Sequence, residues 1–221
     1  MAVPLRSTQD IGASLGWKHD TPPETLSTGI GELDGVIEGC PRGRITEITG
    51  PISSGRTTMM YAVLAEATRI GEICAVVDTA DSFHPESAAS AGVVLSQVLL
   101  VRCGGNVDNA LRAADLLLHS GGFGVVALDL CDAAERALRR IPLSCWYRFR
   151  RAIENTPTVL LLLEREPLAK ACASLFVEMH RERANFTGTY PFQYLESAQY
   201  EAILRKPVSR RAASFEVKAL P

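Results

Sequence analysis

Apolar positions along the chain gather into short continuous runs separated by segments of helical length. Arg44-Ile45-Thr46-Glu47-Ile48-Thr49 is β-branched and ends at Gly50, which predicts a strand. Thr57–Ile70, rich in Ala, Met and Leu, predicts a helix that Gly71 stops. Two more apolar runs follow: Ile73–Val77, ending in Asp78, and Val98–Val101, preceding Gly104-Gly105. Asn106 or Asp108 can cap a helix in which Ala110, Leu111, Ala114, Leu117 and Leu118 recur at helical spacing, and Gly121-Gly122 breaks it. Val125–Leu128 ends in Asp129, and Val159–Leu163 is apolar without interruption. Strands that are apolar on both faces and alternate with helices imply an α/β fold with a mostly parallel sheet covered on either side. Beyond it, Ser174–Met179, Tyr200–Leu204 and Ser214–Val217 are short and closely spaced, as expected of antiparallel additions. Residues 1–25 are polar, carry Pro22-Pro23 and suggest a lead-in with one short helix around Ile11–Trp17. The expected organisation is that lead-in and a single domain over 26–221, with its core in 26–170 and C-terminal strands in 174–221.

Composition narrows the picture only slightly. With 47% apolar and 22% charged residues among 221, the chain can supply one full core. A net charge of −2 provides no global field toward DNA or anionic lipid, so any nucleic-acid contact must come from a local patch. The six cysteines, at 40, 74, 103, 131, 145 and 172, form no CxxC pair and no Cys/His cluster, and several lie in apolar runs. They are expected to be reduced, buried thiols. No run approaches the ~18 apolar residues of a membrane span, and a cytoplasmic location is expected.

The sharpest motif is Gly50-Pro51-Ile52-Ser53-Ser54-Gly55-Arg56-Thr57-Thr58. Glycines let the backbone turn so that successive N–H groups face a phosphate, and a helix starting directly afterwards adds its positive end. The pattern is that of a P-loop with Arg56 in place of Lys. Thr57 stands where a hydroxyl ligates Mg²⁺, and Asp129 ends the strand that carries the second carboxylate on the metal side. A Gly/Ser-rich turn can also do no more than cap a helix, and a strand-end Asp can be a turn residue. Their coincidence favours nucleotide binding, with ATP and Mg²⁺ as the cofactors.

Leu26-Ser27-Thr28-Gly29-Ile30-Gly31-Glu32-Leu33-Asp34, Pro41–Pro51, Ser53-Ser54-Gly55, Cys74–Asp78, Pro85 and Val125–Asp129 together resemble the opening of the RecA recombinase core. The resemblance spans about residues 26–130 and implies a RecA-like ATPase fold. Against that family, Arg56 exchanges a compact ammonium for a larger, planar guanidinium. The position of the family's water-activating glutamate is Ala80, which cannot act as a base. Asp81, adjacent but shorter and displaced, is the candidate substitute. The position of the adenine-stacking aromatic is Ser87. The long DNA-binding loop after the Val159–Leu163 strand is reduced to Glu164 through about Ala173, where Glu164 and Glu166 have the wrong sign for a phosphate backbone.

Residues 136–151 contain Arg136, Arg139, Arg140, Arg148, Arg150 and Arg151, interleaved with Trp146, Tyr147 and Phe149 and free of acidic residues. Arginines on phosphates and aromatics on bases suit single-stranded DNA. A helix with its aromatics on the sheet and its arginines in water suits the same composition, as does a face for an acidic partner protein. A second cluster, Arg205, Lys206, Arg210 and Arg211, extends the patch if the tail folds back. The resemblance implies a nucleotide-binding accessory of DNA repair and the SOS response, similar to short ImuA-like members of the family, with weak or no hydrolysis. A repair polymerase or another RecA-family protein is the implied partner, and a homo-oligomer is compatible with it. A DNA-dependent ATPase recombinase and a scaffold that binds no nucleotide are the alternatives.

Overall fold

The computed structural model describes residues 24–189, 191–208 and 211–218. The helix expected around Ile11–Trp17 lies outside them. Two short strands, β1 (Thr25–Leu26) and β2 (Cys40–Pro41), pair antiparallel around helix α1 (Gly31–Ile37). The main sheet has eight strands. In chain order these are β3 (Ile45–Thr49), β4 (Cys74–Asp78), β5 (Val98–Arg102), β6 (Val125–Asp129), β7 (Val159–Glu164), β8 (Ala173–Thr189), β9 (Phe192–Lys206) and β10 (Ala212–Lys218). Their spatial order is β10-β9-β8-β3-β7-β6-β4-β5. The β8, β3, β7, β6, β4 and β5 strands run parallel, and β9 and β10 are added antiparallel.

The remaining helices are α2 (Arg56–Arg69), α3 (Pro85–Ser90), α4 (Val107–Ser120), α5 (Glu135–Leu138) and α6 (Leu143–Ile153). Asn106 caps α4, its side chain accepting from the Asn109 amide at 3.0 Å. The apolar strands divide their residues by parity, as the two-residue period demands. Val76, Val125, Ala127, Leu161 and Leu163 pack with Met59, Val63 and Leu64 of α2 on one face. Ala75, Val77, Val126, Leu128, Leu160 and Leu162 pack with Ala110, Ala114 and Leu118 of α4 and Trp146 and Phe149 of α6 on the other. All six cysteines are buried and unpaired, and burial pushes the thiols of Cys40 and Cys74 up to about 12.

The tail departs from expectation in two ways. Its first strand pairs parallel with β3 along Ala173–Glu178 before continuing into the hairpin. That hairpin, β8–β9, spans 17 and 15 residues, far longer than the short runs suggest. Its outer half is polar enough that hydrophobicity alone does not show it, and bulges at Arg181/Arg183 and Asn185/Phe186 interrupt the alternation.

Candidate nucleotide site

The phosphate-loop segment joins the end of β3 to the start of α2. Gly50 has φ 148° and lies against the Met179 carbonyl and Ser54 Oγ, where a side chain would collide. Ser53, at φ 61°, and Gly55, at φ 94°, complete the turn in the left-handed region. Helix α2 therefore starts at Arg56 with its first amides directed into the loop, a geometry suited to an anion. Ser54 Oγ is buried and has no hydrogen-bond partner among the described residues. A phosphate oxygen would satisfy it, so the residues present fit the group expected here.

Asp129 lies two strands away. Ile48 pairs with Leu163, Leu163 with Asp129, and Asp129 with Asp78, so the four strand ends align. Its Oδ1 accepts from the Cys131 amide at 2.9 Å. Burial raises its pKa, the amide bond opposes that rise, and the neighbouring Asp78 adds to it. A divalent cation held by Thr57 and Asp129 would favour the ionised carboxylate. Asp78 is committed to structure: it accepts from the Ser82 and Phe83 amides at 3.0 and 2.8 Å and folds the chain after β4.

Arg56 does not project into solvent at the mouth of the loop. It is buried, and its Nη1 donates to the Glu164 carbonyl at the end of β7, 2.8 Å away. The guanidinium thus bridges from the phosphate loop to the strand that separates it from Asp129. Glu164 itself is fully buried, its carboxyl beside that of Glu47 of β3. Glu47 Oε1 accepts from the Leu168 and Ala169 amides, each at 2.7 Å. The other oxygens at this pair, Glu47 Oε2 and Glu164 Oε2, are buried and have no hydrogen-bond partner among the described residues. Burial, then the contact with Glu47, holds Glu164 well above the usual carboxylate range. The expectation that Glu164 adds negative charge to the loop surface is corrected: its side chain is buried inside, where burial disfavours the charged form.

Asp81 is exposed at φ 58°, and among the described residues it makes no hydrogen bond to the phosphate loop. Ala80 is half-buried beside it. Ser87 serves the start of α3, its amide donating to His84 Nδ1 at 3.2 Å. The basic–aromatic stretch separates by face. Trp146 and Phe149 are 1% and 0% exposed and meet edge to face with centroids 5.8 Å apart. Trp146 therefore has no face to offer a base, which corrects its place among the nucleic-acid candidates, because helical periodicity turns it onto the sheet. Tyr147, Arg139, Arg140, Arg148 and Arg151 are exposed and Arg150 is half-buried. Arg148 pairs with Asp115 at 2.9 Å. In the second basic cluster, Arg205 pairs with Glu178 at 2.6 Å, Lys206 donates to the Ala171 carbonyl at 3.0 Å and Arg211 pairs with Glu38 at 3.8 Å. Arg210 lies outside the described residues.

Sequence reasoning missed the other wall of the site. A cleft of about 250 Å³ is lined by Ser53–Thr58 on one side and by Arg181, Leu195 and Tyr200 of the hairpin on the other. A Cβ on Gly55 would stand 2.8 Å from Tyr200 Cδ1, so the ring rests directly on the loop. The available signal was the register of β8: had it been placed beside β3, residues just past Glu178 would fall next to Gly50.

The RecA N-terminal domain model matches residues 9–137, more than half of the chain. The chain belongs to the RecA family. It is 42% identical over 108 residues to the RecA protein of Haemophilus ducreyi, covering 48% of this chain and 29% of that one. With the RecA of Deinococcus radiodurans it shares 39% over 117 residues, 52% of this chain and 32% of the other. The matches thus span about a third or less of these relatives' length. The crystal structure of the RadB recombinase superposes with a TM-score of 0.65 at 18% identity, covering 88% of this chain and 96% of that one, and shares its fold. RecA-family membership, with RecA identities confined to about half of this chain, leaves the tail to be read from its structure alone.

Proposed function

We propose that this RecA-family chain binds Mg-ATP at residues 50–58, with Thr57 and Asp129 on the metal side, and hydrolyses it slowly or not at all. It acts as a nucleotide-binding accessory in DNA repair. The observation that carries the reading is Arg56: its guanidinium is buried and anchored through Nη1 to the Glu164 carbonyl, which restricts its movement toward charge that develops on a transferring phosphoryl group. Ala80 in the position of the water-activating glutamate adds to it, since an alkyl side chain takes no proton. Loop geometry and the orphaned Ser54 Oγ support binding; the side chains argue against efficient turnover. The partners follow the family: a repair polymerase or another RecA-family protein, with exposed arginines such as Arg140 and Arg151 as contacts for it or for single-stranded DNA.

Phosphate release by the purified chain, with and without single-stranded DNA, tests the reading. The expected rate is near background in both, with a measurable rise in the Arg56→Lys, Ala80→Glu double variant. Brisk, DNA-stimulated release by the unaltered chain would overturn it.

A further inference from the structure

We propose that Arg181, on the hairpin rather than on the phosphate loop, is the cation that engages the terminal phosphates of the bound nucleotide. The inference rests on the reading of residues 50–58 as a nucleotide site. Among the described residues two arginines line that cleft, Arg56 and Arg181. The first is buried and engaged with the Glu164 carbonyl. The second is exposed, and its side chain forms no hydrogen bond or ion pair among the described residues. Its neighbours on the hairpin do have partners: His180 meets Glu178 at 3.0 Å, and Glu182 accepts from Ser214 at 3.3 Å.

Register fixes the direction of Arg181. It pairs across the hairpin with Tyr200, and cross-strand partners share a face of the sheet. Tyr200 lies on Gly55, so that face is the one turned to the loop. Ser54 Oγ, buried and unpartnered, supplies a second polar group on the same cleft. At about 250 Å³ the cleft is smaller than the roughly 300–1,000 Å³ of pockets that enclose a whole small ligand. It suits a phosphate chain whose nucleoside lies outside. A guanidinium can there donate two parallel hydrogen bonds to phosphate oxygens from a side chain that gives up no existing contact.

The test is calorimetric titration of Mg-ATP and of magnesium tripolyphosphate into the wild type, Arg181→Ala, Arg181→Lys and Arg183→Ala. Arg181→Ala is expected to lose about tenfold or more in affinity for both probes, the scale of a lost charged hydrogen bond. Arg181→Lys should recover part of it, and Arg183→Ala should bind as the wild type does. Arg181 is exposed, so its thermal midpoint serves as the folding control and should not change. Equal binding by wild type and Arg181→Ala overturns this inference alone. Absence of Mg-ATP binding in the wild type overturns the nucleotide reading, and the inference with it.

Discussion

Two buried contacts at the ends of β3 and β7 distinguish this site at the level of single residues. Arg56 donates to the carbonyl of Glu164, and the buried Glu164 carboxyl lies beside Glu47 with its pKa raised. The first contact holds charge beneath the loop, and the second places a carboxyl where water does not reach, which disfavours its charged form. Because the folded-state pKa of Glu164 is raised, the folded protein holds a proton that the unfolded chain releases at lower pH. The stabilisation from this pair is complete below the ordinary glutamate pKa and is lost as pH rises through the raised value. Glu164→Gln keeps the hydrogen-bond capacity and removes the ionisation. Denaturant melts across pH should therefore show the wild type losing stability with rising pH over that window and the variant losing less. Parallel curves for the two proteins would contradict the raised pKa of Glu164.

At the level of elements, helix α6 shows why composition alone misleads. Its arginines and aromatics suggest a nucleic-acid surface when read together, but the helical period separates them onto opposite sides. Trp146 and Phe149 fill the core beneath the sheet, while Tyr147 and Arg148 face water. Trp146→Ala is expected to cost ~3–5 kcal/mol of stability, as large-to-small changes at filled core sites do. Arg148→Ala, which removes a largely exposed pair with Asp115, should cost less than about 1 kcal/mol. Chemical denaturation of the two variants measures both, and a mild Trp146→Ala would mean that the helix packs loosely. The central strands were legible for the converse reason. Val125–Asp129 and Val159–Leu163 are buried on both faces, so their composition is uniform and needs no phase. The hairpin was not legible, because residues such as Arg181, Arg183, Asn185 and Thr187 carry no clean alternation.

On the scale of the whole molecule, pairing β8 beside β3 brings the tail of the chain to its phosphate loop. The loop, its capping helix and the Asp129 strand are local features that a sequence displays within a few residues. The opposite wall depends on a parallel pairing between segments more than 120 positions apart, which no local pattern encodes. RecA-family membership accounts for the first half of the site. The second half comes from a hairpin whose Tyr200 rests on Gly55 and whose Arg181 faces the same cleft. On the proposed reading, slow chemistry is compatible with nucleotide binding, since the groups placed to hold phosphates are distinct from the groups that would activate water.

Calorimetric titration of Mg-ATP into the wild type beside Thr57→Ala tests the central claim most directly. A saturable, magnesium-dependent signal in the wild type that is strongly weakened in Thr57→Ala is the result this account predicts. No heat in the wild type, or equal binding by the two proteins, would contradict it.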